Sequence, residues 1–447
     1  MLAKGQDVPR KCILILLDGL GDRSYESLGG KTPLQAAHTP TLDKLAANGS
    51  SGLYHPSVQG QALPSENAHF SLFGYDMAEF PGRGALEALG AGVDLRSSDV
   101  ALLSHFAGIS RKANALWLDC GKPDVGVRSL AALSACIASF DSNGVAVTFH
   151  PTGGIRGIIR LRGAVSPFVT DSDPVTDGRP LSAVLPWQAC EEERTAAQRT
   201  ANGLRAYLLW AHEQLSAHQV NQARKRKGQA PVNALVSQRA GRLKKVIPFR
   251  RKYGLRGLSM ASGLVYQGLG TYLGMDVQEE KDSGDAGADI AGRLCAAGAR
   301  LGDYDFFHVH TKTPDEAAHE KDPMLKKKVI ESLDAGIGRA IAPFVDDPDI
   351  LLVVTADHST PSGGPLIHSG ETVPLVMAGR GLRKDTVCRF DEVHAAHGAL
   401  GGLRGKEVMY LILNHLDRAK LAGLMDSPED QPYWPGDYQP FSPDFSS

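Results

Sequence analysis

Ile350-Leu351-Leu352-Val353-Val354-Thr355-Ala356-Asp357-His358-Ser359-Thr360-Pro361 is the stretch whose reading decides the fold. Ile350 to Val354 are all apolar, three of them β-branched, and read as a buried strand. A carboxylate and an imidazole follow at once, so both emerge at the strand's C-terminal end. In open α/β sheets that edge is where ligands bind. Asp357 and His358 offer one hard oxygen and one imidazole nitrogen, a fragment of a metal site. Asp-His pairs also occur as surface loops and N-caps. The weight of this one comes from what else the chain delivers to the same edge.

Working outward, Lys11 to Leu17 is a second run that suits a fully covered parallel strand, and it stops at Asp18-Gly19-Leu20-Gly21-Asp22. For a lone Asp-Gly the better reading is a capped turn. The glycines are a weak phosphate-loop signal, without the Lys-Ser/Thr of a P-loop. Asp18 matters because it would share an edge with Asp357. Thr32 to Asn48 carries two Thr-Pro helix starts and ends near Gly49. Leu63-Pro64-Ser65-Glu66-Asn67-Ala68-His69 places a hydroxyl at a helix start, near free N–H groups and the positive dipole end. Read alone, Ser65 is an N-cap; the sharper reading is a nucleophile whose phosphate the helix start cradles.

On the other side, Asp305 to His310 reads as a strand leading into Thr311 to His319. Asp315 and His319 are four apart and would share a helical face, a sound chelating spacing that also arises by chance. Lys326 to Val345 reads as an amphipathic helix, His368-Ser369-Gly370 lies ten residues after His358, and Thr372 to Ala378 is a further strand.

At 447 residues the chain has room for two or three domains, and a net charge of −2 gives no global reason to expect nucleic acid or membrane as partner. Six cysteines without a Cys-x-x-Cys pairing suit reduced thiols in a cytoplasmic protein. No stretch is long and apolar enough to cross a bilayer. From about Ser97 to about Val277 different material interrupts the α/β pattern. It holds helix-like Ser129 to Ser139, strand-like Val145 to Phe149 and Gly157 to Leu161, the polar loop Val169 to Pro174, and a long charged helix over Glu191 to His218. Asn221 to Lys252 is basic throughout, from Arg224 to Lys252, with no acidic residue. Most such runs are solvated faces; a nucleic-acid patch and a basic lid over a phosphorylated substrate are the alternatives. The scarcity of aromatics weakens single-strand binding. The expected organisation is a discontinuous core of residues 1–96 plus 278–447, with an inserted α/β substrate domain of residues 97–277.

Together Asp18, Asp315, Asp357, His319, His358, His368 and Ser65 supply three carboxylates, three imidazoles and a hydroxyl on one expected edge. That suffices for two divalent ions with mixed oxygen and nitrogen ligation, and Mn²⁺, Mg²⁺ and Zn²⁺ all suit it. The order and context of these residues resemble the alkaline-phosphatase superfamily and, within it, the archaeal-type cofactor-independent phosphoglycerate mutases. The resemblance is carried by Leu17 to Asp22, Gly30 to Ala37, Ser65 to His69 with Phe73 to Asp76, Gly82-Arg83-Gly84, Glu87 to Gly92, Val169 to Pro174, Asp315 to His319, Asp357 to Pro361 and His368 to Gly370. It covers nearly the whole chain.

The resemblance implies a parallel sheet core sandwiched by helices, and an isomerase that passes a phosphoryl group through Ser65. One ion would sit on Asp315, His319 and His368, the other on Asp18, Asp357, His358 and the Ser65 oxygen. Asp171 and Asp173 would handle glycerate hydroxyl protons, while Lys312, Arg239 and Arg156 would hold phosphate or carboxylate. The chain departs from the family pattern on the substrate side. Glu66 stands for the usual Asp, Leu102-Leu103 and Asp119-Cys120-Gly121-Lys122-Pro123-Asp124 lack the usual arginines, and Val175 replaces a His. Loss of bidentate guanidinium contacts is not conservative. The alternative substrate is therefore another small phosphorylated or phosphonate acid, handled by a phosphatase or phosphomutase of the same superfamily. A third reading, a nucleic-acid or partner surface on an inactive scaffold, rests on Asn221 to Lys252 and is opposed by the intact donor set.

Overall fold

The computed structural model describes residues 8–442 apart from 143 and 189. It falls into two compact units, residues 1–80, 246–263 and 270–447 in the first and residues 81–245 and 264–269 in the second.

The first unit is built on an eight-stranded sheet. Its order is Asp276–Glu280, Gly257–Ser262, Phe306–Thr311, Lys11–Leu17, Ile350–Thr355, Val373–Ala378, Ser50–His55, Gly401–Arg404. The first five strands run parallel. Lys11–Leu17 sits at the centre, with Leu14 opposite both His308 and Val353. Phe306–Thr311 and Ile350–Thr355 are buried along their whole length, as strands covered on both faces must be. One strand departs from the expected parallel arrangement: Val373–Ala378 runs antiparallel to both its neighbours. The chain leaves Ile350–Thr355 at its C-terminal end and reaches Val373 without a helix. A parallel return needs a crossover, so the next strand has to run back down.

Helices cover this sheet. Pro323–Ala340 buries Ile330, Leu333 and Ile337, and Ala286–Ala299 buries Ile290, Leu294 and Ala297. The two pack closely because both carry glycine at the crossing: a Cβ on Gly336 would stand 2.2 Å from the Gly287 carbonyl oxygen. The single helix read over Lys326 to Val345 is two, Pro323–Ala340 and Ala342–Val345. Thr32 to Asn48 likewise divides into Pro33–Ala36 and Pro40–Asn48, each with proline in its first turn.

The second unit has its own antiparallel sheet of seven strands. Six lie in the order Ser139–Ser142, Val145–Gly153, Arg156–Gly163, Val100–Lys112, Ala115–Cys120, Arg179–Pro180, and Ala234–Gly241 pairs with Val100–Lys112. Its core joins Val100, Leu102, Phe106, Phe149 and Leu161 from the strands to Leu130 and Leu133 of Val127–Cys136 and to Leu204 and Tyr207 of Arg194–Ala217.

The units divide elsewhere than at residues 97 and 277. The helix Arg83–Gly90 belongs with the second sheet: a Cβ on Gly84 would be 2.1 Å from the Ala101 carbonyl oxygen, so the helix backbone lies directly on the strand. Gly257–Ser262 and Asp276–Glu280 are hydrogen-bonded into the first sheet, which returns them to the first unit. Among the described residues no helix is long and apolar enough to cross a membrane.

Candidate metal centre and nucleophile

Three parallel strands deliver the site at their C-terminal ends. Asp18 follows Lys11–Leu17 directly, Asp357 and His358 follow Ile350–Thr355, and Phe306–Thr311 leads through Lys312 into the short helix Thr313–His319, which carries Asp315 and His319. His368 lies on the helix-free return after His358. Ser65 is the first residue of the helix Ser65–Leu72, and Pro64, not Ser65, occupies the cap. The Ser65 hydroxyl is thus released from capping and lies 2.9 Å from His358 Nε2.

Around His358 Nε2 gather Ser65 Oγ, Asp357 Oδ2 at 3.1 Å and Asp18 Oδ1 at 3.5 Å. The other Asp357 oxygen accepts the Gly19 amide at 3.0 Å. A second set centres on Asp315 Oδ1, with His319 Nε2 at 3.3 Å and His368 Nε2 at 3.5 Å. His368 Nδ1–H donates to the Leu63 carbonyl at 2.7 Å, which makes Nε2 the nitrogen turned toward Asp315. His358 and His368 stack at 3.8 Å between ring centres, so the two sets adjoin. Asp315, His319 and His368 could hold one ion, and Asp18, Asp357 and His358 another.

Lys312 Nζ stands 3.1 Å from Asp315 Oδ2 and 3.9 Å from Asp18 Oδ2. Burial alone would push the Asp18 carboxyl up; the Lys312 ammonium and the His310 hydrogen bond outweigh it and hold Asp18 well below the usual carboxylate range. Asp315 is held down in the same way, against burial, by His319, His368 and Lys312. Burial likewise opposes the Lys312 ammonium, and the two carboxylates keep it charged.

Behind these groups lie residues that the sequence reading did not single out. His310 Nε2–H donates to Asp18 Oδ2 at 3.1 Å, and burial pushes its imidazole down to about 4. His69 Nδ1–H donates to the Ser65 carbonyl at 2.8 Å and stands 3.2 Å from Asp357 Oδ2. Asp18, His69 and His310 are themselves close enough to form a third donor group. Lys326, fully buried, donates to the carbonyls of Gly21 and Thr360, both at 2.9 Å, and to Asp22 Oδ2 at 3.1 Å. It ties the loop after Lys11–Leu17 to the loop after Ile350–Thr355. A sequence signal existed for His310: His308 and His310 are two apart in an apolar strand and share a face.

The substrate-side candidates lie in the second unit. Asp171 Oδ1 accepts the Arg239 amide at 2.7 Å, and Arg239 has φ +53°, a conformation rare outside glycine. Asp173 accepts from the Val175 amide at 2.7 Å and from Gln238 Nε2 at 2.5 Å, and His105 Nδ1 is 3.8 Å from it. Arg156, exposed at the start of its strand, pairs with His105 in the sheet register. Leu103 is half-buried on the same strand, opposite Ile158 and Gln238.

A sheet edge that brings two adjoining oxygen–nitrogen donor sets together, one of them against a serine, defines a metal-dependent enzyme, and residues 10–415 match the Metalloenzyme superfamily. A 2,3-bisphosphoglycerate-independent phosphoglycerate mutase 2 of Methanocaldococcus jannaschii is 38% identical over 96% of this chain and 98% of its own length. A 2,3-bisphosphoglycerate-independent phosphoglycerate mutase of Pyrococcus furiosus is 34% identical over 93% and 99%. Among solved structures, the cofactor-independent phosphoglycerate mutase of Thermoplasma acidophilum superposes with a TM-score of 0.64 at 30% identity, covering 91% of this chain and 99% of that one. A Pyrococcus horikoshii protein reaches 0.77 at 29%, covering 93% and 100%. This chain belongs to the archaeal-type 2,3-bisphosphoglycerate-independent phosphoglycerate mutases, a family of isomerases.

Proposed function

We propose that this chain interconverts 3- and 2-phosphoglycerate through a phosphoserine at Ser65, without a bisphosphate cofactor. The observation that carries the reading is the Ser65 hydroxyl, first in its helix and 2.9 Å from His358 Nε2, inside the Asp18, Asp357 and His358 donor set. The donor chemistry fits two divalent ions, Mn²⁺, Mg²⁺ or Zn²⁺: Asp315, His319 and His368 would hold one, and Asp18, Asp357, His358 and Ser65 the other. Such ions activate a hydroxyl and offset charge on the oxygens of in-line phosphoryl transfer.

The chain's own residues account for the remaining work. Ser65 Oγ attacks phosphorus, and the bond from phosphorus to the glycerate oxygen breaks. The second hydroxyl of the retained glycerate then takes the phosphoryl group back. Lys312, already charged beside Asp18 and Asp315, supplies positive charge to the phosphate. For the second unit the reading assigns Asp171 and Asp173 to the hydroxyl protons, and Arg239 and Arg156 to the anionic groups. Free thiols at all six cysteines suit a cytoplasmic setting.

The test is ³¹P NMR of metal-loaded protein with 3-phosphoglycerate and no bisphosphoglycerate. A 2-phosphoglycerate resonance is expected, with the rate falling by about 10³-fold or more in Ser65→Ala. Leu103, Cys120 and Val175, where guanidinium and imidazole groups are missing, favour the second reading of a different small phosphorylated or phosphonate acid. Release of inorganic phosphate alone, or no turnover, would replace the mutase reading by that one.

A further inference from the structure

The geometry points to Thr360 as the positioning residue that couples the two donor sets. This inference rests on reading the cluster as a two-ion centre. The Thr360 side chain is fully buried, and its hydroxyl lies 2.7 Å from Asp315 Oδ1 and 3.1 Å from His358 Nδ1. Asp315 belongs to one set and His358 to the other. An ionised carboxylate only accepts, so Thr360 gives its single hydroxyl proton to Asp315. With that proton committed, the hydroxyl oxygen can only accept from His358. His358 therefore carries a proton on Nδ1, and Nε2 is the nitrogen whose lone pair is open to an ion. That nitrogen is the one facing Ser65 Oγ, Asp357 Oδ2 and Asp18 Oδ1.

One hydroxyl thus sets the aim of a carboxylate in one set and the tautomer of an imidazole in the other. The surroundings hold it in place. The Thr360 amide donates to the Gly21 carbonyl at 2.9 Å, and its own carbonyl accepts from Lys326 at 2.9 Å. Gly19 leaves the space: a Cβ there would stand 2.6 Å from Thr360 Oγ1 and 2.7 Å from Asp315 Cβ. An ion that fixes Asp315 keeps the hydroxyl oriented, and the oriented hydroxyl keeps Nε2 ready for the second ion. Filling one set favours filling the other.

The experiment uses the full chain, stripped by chelation and titrated with Mn²⁺ by calorimetry. Thr360→Val keeps the shape and removes the hydroxyl; it is expected to weaken binding about 10- to 100-fold and to remove the coupling between the two binding events, while Thr360→Ser restores both to within about threefold. Wild-type affinity in Thr360→Val overturns the assignment, as does a Thr360→Ser as weak as Thr360→Val. Long-range ¹H–¹⁵N NMR of the metal-free wild type reads the tautomer and needs no variant to fold. A proton on His358 Nδ1 supports the proposal, and an unprotonated Nδ1 overturns it. Failure of the wild type to bind Mn²⁺ would remove the two-ion reading together with the proposal, whereas normal wild-type binding with an unaffected Thr360→Val removes Thr360 alone.

Discussion

Replacing Lys326 by Met takes a fully buried ammonium from between the Gly21–Asp22 and Thr360–Ser362 loops while keeping most of the side-chain volume. The three donations of Nζ, to Gly21 O, Thr360 O and Asp22 Oδ2, disappear. Asp22 keeps other donors: the Ser362 amide and hydroxyl, the Tyr25 hydroxyl and the Arg23 amide. Removing one partner of a buried ion pair costs about 3–5 kcal/mol, and those remaining donors place this case near 3. With a urea m-value of about 3 kcal/mol/M, the midpoint of the metal-free protein should fall by about 1 M. Asp22→Asn alone leaves the ammonium without its counter-charge and should also destabilise. The double variant removes both charges of the pair, so its loss should be smaller than the sum of the single losses by about 1.5 kcal/mol or more. Single losses that add to within about 0.5 kcal/mol would refute the claim that this pair acts as a unit.

Glu392 gives a pH dependence. Burial pushes its carboxyl up from 4.5 to about 7, although Thr32 Oγ–H donates to it at 2.7 Å. The native state therefore binds the proton more tightly than the unfolded chain. The associated stability is fully present below about pH 4.5 and is lost as pH rises through about 7, by at most about 3 kcal/mol. Glu392→Gln should flatten that part of the stability–pH curve in chemical denaturation, and an unchanged slope would contradict the assignment. Gly19→Ala should cost about 2–5 kcal/mol in thermal unfolding, because φ is +65° and the new Cβ would meet Thr360 and Asp315. A near-wild-type melt would show that the site relaxes around it. Chelation of metal-loaded protein should remove about 2.7 kcal/mol for each ion that had been present at a hundred times its Kd, read as a lower melting temperature. Equal melts with and without chelator would count against resident ions.

The strands Lys11–Leu17, Phe306–Thr311 and Ile350–Thr355 were readable because covered parallel strands are written as continuous apolar runs, and a run followed by Asp is a local signal. Their adjacency was not local. Nothing near Leu17 says that residues 306–311 and 350–355 flank it, and that adjacency places Asp18 beside Asp315 and Asp357. The same limit hid Thr360, Lys326 and His69, each of which has a partner distant in sequence, such as Asp315, Gly21 and Asp357. Ser65 shows the reverse. Its N-cap reading was sound as propensity, but Pro64 takes the cap position and frees the hydroxyl. The boundary between units was misplaced because nothing local to Arg83–Gly90 shows that Gly84 lies against Ala101.

The central position of Lys11–Leu17 has a consequence for how the chain is made. Among the described strands it comes earliest in the chain, yet both its neighbours, Phe306–Thr311 and Ile350–Thr355, come much later. At 5–20 residues per second, the roughly 290 residues before the first neighbour take about 15–60 s to synthesise. Throughout that time Cys-Ile-Leu-Ile-Leu-Leu has no sheet to join, and such a segment invites pairing with other nascent chains. The second unit, continuous from Pro81 to Lys245 but for one short later segment, can collapse meanwhile. Co-translational folding of this enzyme should therefore proceed from the middle outward, with a holding chaperone needed on Lys11–Leu17 until its neighbours are made.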